Sequence, residues 1–389
     1  MMKSKTNKNK LVGIISYNVY SNHMNYGAAL HSYAFQQYLK ARGVESIIIG
    51  YIPKYLDDYN LKYPIFNFRR VKSVRSFIAH IVNWGLGYFS NLRKYKKFQD
   101  FFSTQTRKTE RLYRYSELMK LGNIENLEFT DFVSESDIIW KMLKDDFFDE
   151  CFFLQFPAAS GLNKVAYSPT LASREFSESE KVRFMSLVSE YSAISTRESH
   201  GAEYLTKLLH RKIDWVLDPT LLLDREDYEK LAVKPEESNY VLLYNCMVDD
   251  RKMVREARKF ASEKSKKLIE ISNFYINKLL FNHSIKTDIG IEEFLGYVAN
   301  ADCVICNAFH GLCLSVIFQK DIYLFLRNRK DYRMQSVTSA LGLSSRLIDL
   351  DQKMIPENLP PIDYDQVYLR LEEHRKRSSS FIEENIVLR

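Results

Sequence analysis

Short apolar runs rich in β-branched residues alternate with amphipathic helical stretches along most of this chain. That alternation limits the fold more than any other feature. The first unit starts at LVGIISYN (Leu11 to Asn18), crosses a polar loop into YGAALHSYAFQQYLKARG, and re-emerges as VESIIIGYI. Ala29, Leu30, Tyr33, Ala34, Gln37 and Tyr38 recur at helical spacing, and Gly43 ends the helix. A strand, a helix and a strand of these lengths form a right-handed βαβ unit.

Strand signals return at Phe129 to Trp140, Asn163 to Thr170, Tyr191 to Ser199 and Lys212 to Thr220, with helical stretches between them. Residues 11–224 therefore read as one mostly parallel Rossmann-like domain, behind a floppy basic tail at residues 1–10. Residues 55–128 break the pattern as a helical excursion, with basic residues flanking an apolar stripe. Such a stripe packs on the sheet; a membrane-surface face is the other reading. The polar, proline-containing stretch 225–239 reads as a linker. A second α/β set occupies 240–358, and residues 359–389 read as a C-terminal helix with charges throughout. The expected fold class is α/β: two Rossmann-like domains facing across a cleft, with the excursion in the first and the helix at the end.

Composition narrows the partners. With 46% hydrophobic and 27% charged residues in 389, the chain is globular and long enough for two cores. A formal charge of +7 favours an anionic partner, such as phosphate, carboxylate or a membrane surface. No zinc-finger, RNP-like or basic-zipper pattern is present, so nucleic acid is not expected. The longest apolar region, Ser76 to Phe89, is shorter and more interrupted than the ~20 residues a spanning helix needs. No apolar segment of signal-peptide length follows the basic start, and five irregularly placed cysteines suit a reducing compartment, so the chain is expected in the cytoplasm, free or at the inner face of the membrane. Cys303 and Cys306 form a C-x-x-C on an apolar strand that turns them to opposite faces. No second pair completes a zinc site, and no metal is expected.

In parallel α/β sheets, ligands bind beyond the C-terminal ends of strands, where loops feed helix N-termini. Three junctions carry polar residues there. In SYNVYSNHMNYGAAL, Gly27 at the helix start permits close approach to the backbone, though no dinucleotide or P-loop motif is present. In AISTRESHG, Arg197 opens a helix, where its charge is unfavourable unless an anion sits between it and the helix; pairing with an acid such as Glu198 is the alternative. In CNAFHGLCLSVIFQK, His310 ends a strand and opens a helix, a place that suits acid/base work as well as simple capping. One strand later RNRKDYR brings Arg327, Arg329, Lys330 and Arg333, cationic forks for phosphate or carboxylate.

At these junctions the sequence resembles the polysaccharide pyruvyl transferase family. The matching pieces, in order, are MNYGAALHSYAFQQYL, ESDIIW, ISTRES, VLDPTLLLD and IEEFLGYVANADCVICNAFHGLCLSVIF. Three places depart from the family's usual pattern: Glu135 stands where a glycine is usual, Ala308 where a hydroxyl residue is usual, and YSPTLAS is unlike the family's usual stretch after its strand. The resemblance implies a GT-B-like fold and transfer of a pyruvyl group from phosphoenolpyruvate onto two sugar hydroxyls, giving a cyclic ketal. Phosphoenolpyruvate would be a substrate, with no further cofactor.

Arg197 and His310 match functional positions of the family, with His310 the candidate acid/base and Arg197 the neutraliser of phosphate or carboxylate. Donor contacts would fall on Arg197, Gly311 and a basic residue of the following loop, drawn from Arg327, Arg329, Lys330 and Arg333. Acceptor contacts would fall on Asn18, Asn25, Tyr26, Gly27, Ser136 and Asp137. The acceptor is expected to be a saccharide of a cell-surface polysaccharide, free or lipid-linked. Two other readings share the architecture: a nucleotide-sugar glycosyltransferase, which would bind a nucleoside diphosphate and ignore phosphoenolpyruvate, and a non-catalytic saccharide-binding relative, which would tolerate loss of His310 and Arg197.

Overall fold

A computed structural model of the chain describes residues 10–17, 24–54, 73–142, 148–171, 176–245, 250–348, 350–351 and 354–389. Asn18, most of the basic tail and residues 55–72 of the excursion lie outside the described residues. The first domain is built on β1 (Leu11–Ser16), β2 (Glu45–Ile48), β3 (Asp131–Asp137), β4 (Asn163–Pro169), β5 (Ala193–Thr196) and β6 (Asp214–Trp215). All six are parallel, in the order β2-β1-β3-β4-β5-β6. The second is built on β7 (Tyr240–Asn245), β8 (Lys267–Ser272), β9 (Ser284–Lys286), β10 (Cys303–Cys306), β11 (Asp321–Phe325) and β12 (Leu347–Ile348). These too are all parallel, in the order β9-β8-β7-β10-β11-β12. Helices cover both faces of each sheet, which is why the strands read as continuous apolar runs.

Strand order decides where a ligand can bind. The chain reverses direction across the first sheet between β1 and β3, and across the second between β7 and β10, so each sheet opens a crevice at that switch point. The helices are α1 (Tyr26–Lys40), α2 (Val74–Gln105), α3 (Glu178–Leu187), α4 (Ser199–Leu209), α5 (Arg251–Glu263), α6 (Ile291–Asn300), α7 (Phe309–Ile317), α8 (Tyr332–Leu341) and α9 (Tyr364–Ile382). Helix α1 leaves the first switch point and α7 the second. One apolar cluster joins the domains around them: the Tyr26 ring of α1 lies 4.4 Å from Phe294 of α6 and 6.0 Å from Tyr244 at the end of β7.

Two helices tie the domains together. The C-terminal half of α2 reaches the second domain through Arg93 and Asp288, 2.7 Å apart, and Lys97 and Glu293, 2.6 Å apart. Helix α9 starts on the second domain, where the Tyr364 and Tyr368 hydroxyls donate to the carbonyls of Lys320 and Ile317. It ends on the first, where Ser378 Oγ accepts from Leu217 N and Arg375 donates to the carbonyls of Leu221 and Leu223. The segment 217–224 is thus pinned from outside.

The described part of the excursion holds one 32-residue helix and a two-stranded ribbon, Tyr51–Ile52 with Tyr113–Arg114. The stretch read as a linker contains a short capped helix, Arg225–Glu229. The edge strands β9 and β12 are three and two residues long, too short to leave a pattern in the sequence. Cys303 and Cys306 do point to opposite faces, into separate apolar clusters. No helix among the described residues is long and apolar enough to cross a membrane.

Candidate active site

The first switch point delivers His31, one turn into α1 from Gly27. The helix starts at Asn25, whose side chain accepts from Gly27 N and Ala28 N. The His31 imidazole is fully buried, with Nδ1 2.8 Å from Glu135 Oε1 and Nε2 3.8 Å from Asp137 Oδ2. Glu135 also accepts from Ser16 Oγ at 2.6 Å and from Ser32 Oγ at 3.2 Å. Burial alone would push His31 down, but the Glu135 carboxylate, with Asp137 behind it, outweighs that and lifts the imidazole to about 10. It is an imidazolium at neutral pH.

β3 ends in a strained corner. Ser136 and Asp137 have φ of 48° and 57°, a region that costs a non-glycine residue about 1 kcal/mol or more. The corner turns both side chains into the crevice. Ser136 Oγ donates to Asp218 Oδ2 at 3.0 Å, and Asp137 Oδ1 accepts from Arg197 Nη2 at 3.2 Å. Arg197, only 1% exposed, also donates from Nη1 to Asp218 Oδ2 at 2.7 Å. Its guanidinium carbon lies 4.6 Å from the Phe309 ring centre. Burial would raise both aspartates, but His31 and Arg197 beside Asp137, and His310 and Arg197 beside Asp218, hold both carboxyls below the usual range.

The second switch point delivers His310. Its Nε2 lies 3.6 Å from Asp218 Oδ2, and its ring stacks 5.7 Å from that of His31. The two domains meet here so closely that a Cβ on Gly27 would fall 2.0 Å from His310 Nδ1. Ala308, at the N-cap of α7, has no side-chain acceptor for the first-turn N–H groups, although Gly311 N donates to the Ala308 carbonyl at 3.0 Å.

Arg197 and His310, from different domains, therefore share one buried carboxylate, and Gly27, Ser136 and Asp137 join them. Other expected site residues are placed differently. Tyr26 is 1% exposed and donates its hydroxyl to Ile289 O, so it braces the domain interface instead of facing a ligand. Gly311 faces Cys306 Sγ, 2.7 Å from where its Cβ would lie, so its bareness serves the packing of α7 on β10. Asn25 is committed to capping α1. Of the cationic loop, Arg329 is exposed and paired with Asp351, and Lys330 is exposed. Arg327 and Arg333 turn inward, both against the buried Asp331.

Sequence reading passed over His31 and Asp218, named Glu198 only as a pairing partner for Arg197, and treated Glu135 only as a departure. Asp218 had a signal in its Asp-Pro-Thr context, where it caps a short turn by accepting from Thr220 N. Glu198 is buried beside Arg197. Burial pushes its carboxyl up to about 7, and Thr170 Oγ1 donates to one of its oxygens.

The family profile for polysaccharide pyruvyl transferase matches residues 25–321. The chain belongs to that family. Comparison with curated proteins gives no significant sequence match. Among solved structures, the chain is similar to a UDP-GlcNAc 2-epimerase of Methanocaldococcus jannaschii in complex with UDP-GlcNAc and UDP, at 12% identity and a TM-score of 0.43, covering 94% of this chain and 92% of that one. It is also similar to a putative UDP-N-acetylglucosamine 2-epimerase of Listeria monocytogenes, at 9% identity and a TM-score of 0.47, covering 96% and 90%. A third is the E. coli heptosyltransferase WaaC, at 11% identity and a TM-score of 0.40, covering 97% and 100%.

Proposed function

We propose that this pyruvyl transferase moves the pyruvyl group of phosphoenolpyruvate onto two hydroxyls of a saccharide, in a cell-surface polysaccharide or its lipid-linked precursor, to form a cyclic ketal. The observation that carries the reading is Asp218, shared by His310 and Arg197 where the two switch points meet. The donor's phosphate and carboxylate are received by Arg327, Arg333 and the uncapped first turn of α7. His310 gives a proton to the methylene carbon of the donor, and the positive charge that develops rests on the carbon bearing the phosphate. One acceptor hydroxyl adds to that carbon. A second displaces phosphate and closes the ketal; the proton of the first hydroxyl restores His310, and that of the second leaves with the inorganic phosphate.

Asp218 stands behind His310, 3.6 Å from its Nε2, and orients the ring. Arg197, buried and bonded to Asp137 and Asp218, acts by fixing both carboxylates; it reaches the donor only when one of them gives way. The His31 imidazolium under His310 adds positive charge to a pocket built for a polyanion.

The test is incubation of the protein with phosphoenolpyruvate and saccharide extracts, reading phosphate release and product mass. The reading requires a product heavier than its acceptor by pyruvate less water, formed by wild type and lost in His310→Gln. Transfer from a nucleotide sugar, with phosphoenolpyruvate inert, would replace it with glycosyl transfer.

A further inference from the structure

The first turns of α2 stand away from both domains. From Val74 to Leu86 no described side chain is buried; among the described residues the first buried position of the helix is Gly87, against the Tyr275 ring. Over this stretch Val74, Ile78, Ile81, Val82, Leu86 and Phe89 are all exposed, Val74 by 77% and Phe89 by 71%. At 3.6 residues per turn these six fall on one arc of about 140°. A helix of a globular protein turns such a stripe to the core, and a patch of this kind left open marks a surface that meets something else.

Charge says what it meets. From Tyr59 to Gln99 the sequence holds nine Lys and Arg and neither Asp nor Glu, although the whole chain is only +7. The rest of the chain is therefore slightly acidic, and the excess positive charge is concentrated in this segment of the sequence. Beyond Phe89 the same stripe continues as Arg93 and Lys96, both exposed, with Arg93 sharing Asp288. An apolar stripe bordered by cations is the pattern of a helix that lies in a lipid interface. A second copy of the chain would bring like charge against like charge across the same stripe.

We propose that residues 74–89 of α2 form an interfacial arm that docks the protein on an anionic lipid surface, with the apolar stripe among the acyl chains and the cations at the headgroups. The arm lies in the surface and does not cross it. Further along α2, Lys94 Nζ bonds Asn273 Oδ1 at 2.8 Å and sits 4.4 Å over the Tyr26 ring, next to the residue that touches His310. Val82 and Lys94 are twelve residues apart on one helix, about 18 Å. A docked arm therefore places the mouth of the cleft about that far along the helix from the stripe and beside the membrane, where a lipid-carried acceptor would be presented. The proposal goes beyond the pyruvyl-transfer reading and stands without it.

The test is flotation of the full chain with vesicles of phosphatidylglycerol and phosphatidylethanolamine, and with vesicles of phosphatidylcholine alone, for wild type and for Ile78→Asp/Phe89→Asp. Melting temperature and light-scattering mass are read alongside. Wild type should float with the anionic vesicles, less so at high salt, and the variant should lose at least tenfold of that partitioning while melting at the same temperature. Absence of wild-type binding to anionic vesicles, or binding unchanged in the variant, would overturn the proposal. So would a dimer that the variant dissolves without any vesicle binding, which would assign the stripe to a second copy. Phosphoenolpyruvate binding in the same preparations reports on the catalytic reading separately, since the arm is remote from His310.

Discussion

Replacing Glu135 with Gln keeps the shape of the side chain and an acceptor for Ser16 and Ser32, and removes only the charge. Glu135 is the nearest anion to a fully buried imidazolium, 2.8 Å away. The shift of His31 from 6.5 to about 10 corresponds to about 5 kcal/mol of folding free energy. Breaking one partner of a buried pair costs about 3–5 kcal/mol, because the remaining charge stays uncompensated. Because His31 is raised, its contribution is whole below about pH 6.5 and is lost as pH rises through about 10.

Urea unfolding and NMR titration of the imidazole, both across pH, measure this directly. Wild type should lose about 2–3 kcal/mol of stability between pH 7 and 9 on this account, and the remainder through 10. Glu135→Gln should lose about 3–5 kcal/mol at pH 7, with His31 titrating at least two units lower. Glu135→Gln/His31→Gln should recover part of the loss. A Glu135→Gln protein within about 1 kcal/mol of wild type, with His31 still titrating near 10, would refute the reasoning.

Gly27→Ala places a methyl 2.0 Å from His310 Nδ1, so the imidazole must leave Asp218; turnover should fall about 100-fold with a smaller change in donor KM, read by steady-state kinetics. Arg197→Lys cannot hold Asp137 and Asp218 together and should cost about 3 kcal/mol in urea unfolding, along with most activity. Glu198 is raised from 4.5 to about 7, so its contribution of about 3 kcal/mol is whole below pH 4.5 and lost as pH rises through about 7. Glu198→Gln should flatten that part of the stability profile between about pH 4.5 and 7.

The two-domain architecture was legible because parallel strands buried on both faces leave apolar runs that composition cannot hide, and because helices of nine residues or more carry a period. The edge strands β9 and β12 were not, since two or three residues carry none. At the site, Arg197 and His310 could be read from their junctions. His31 could not, because it sits mid-helix among apolar neighbours and its meaning depends on Glu135, 104 residues away. Tyr26 and Gly311 looked like ligand contacts because they flank the right loops. Only the packing of α1 against α6, and of α7 against β10, shows that their work is to bring the domains and layers close.

The central claim is that the cleft takes phosphoenolpyruvate through inward-facing cations around a His310–Asp218–Arg197 unit. The most direct measurement is calorimetric titration of phosphoenolpyruvate into wild type, His310→Gln, Arg197→Ala and Arg327→Ala, with and without saccharide extract. The account predicts binding to wild type, retained in His310→Gln and weakened about tenfold or more in Arg197→Ala and Arg327→Ala. No binding of phosphoenolpyruvate under either condition, with a nucleoside diphosphate binding instead, would contradict it.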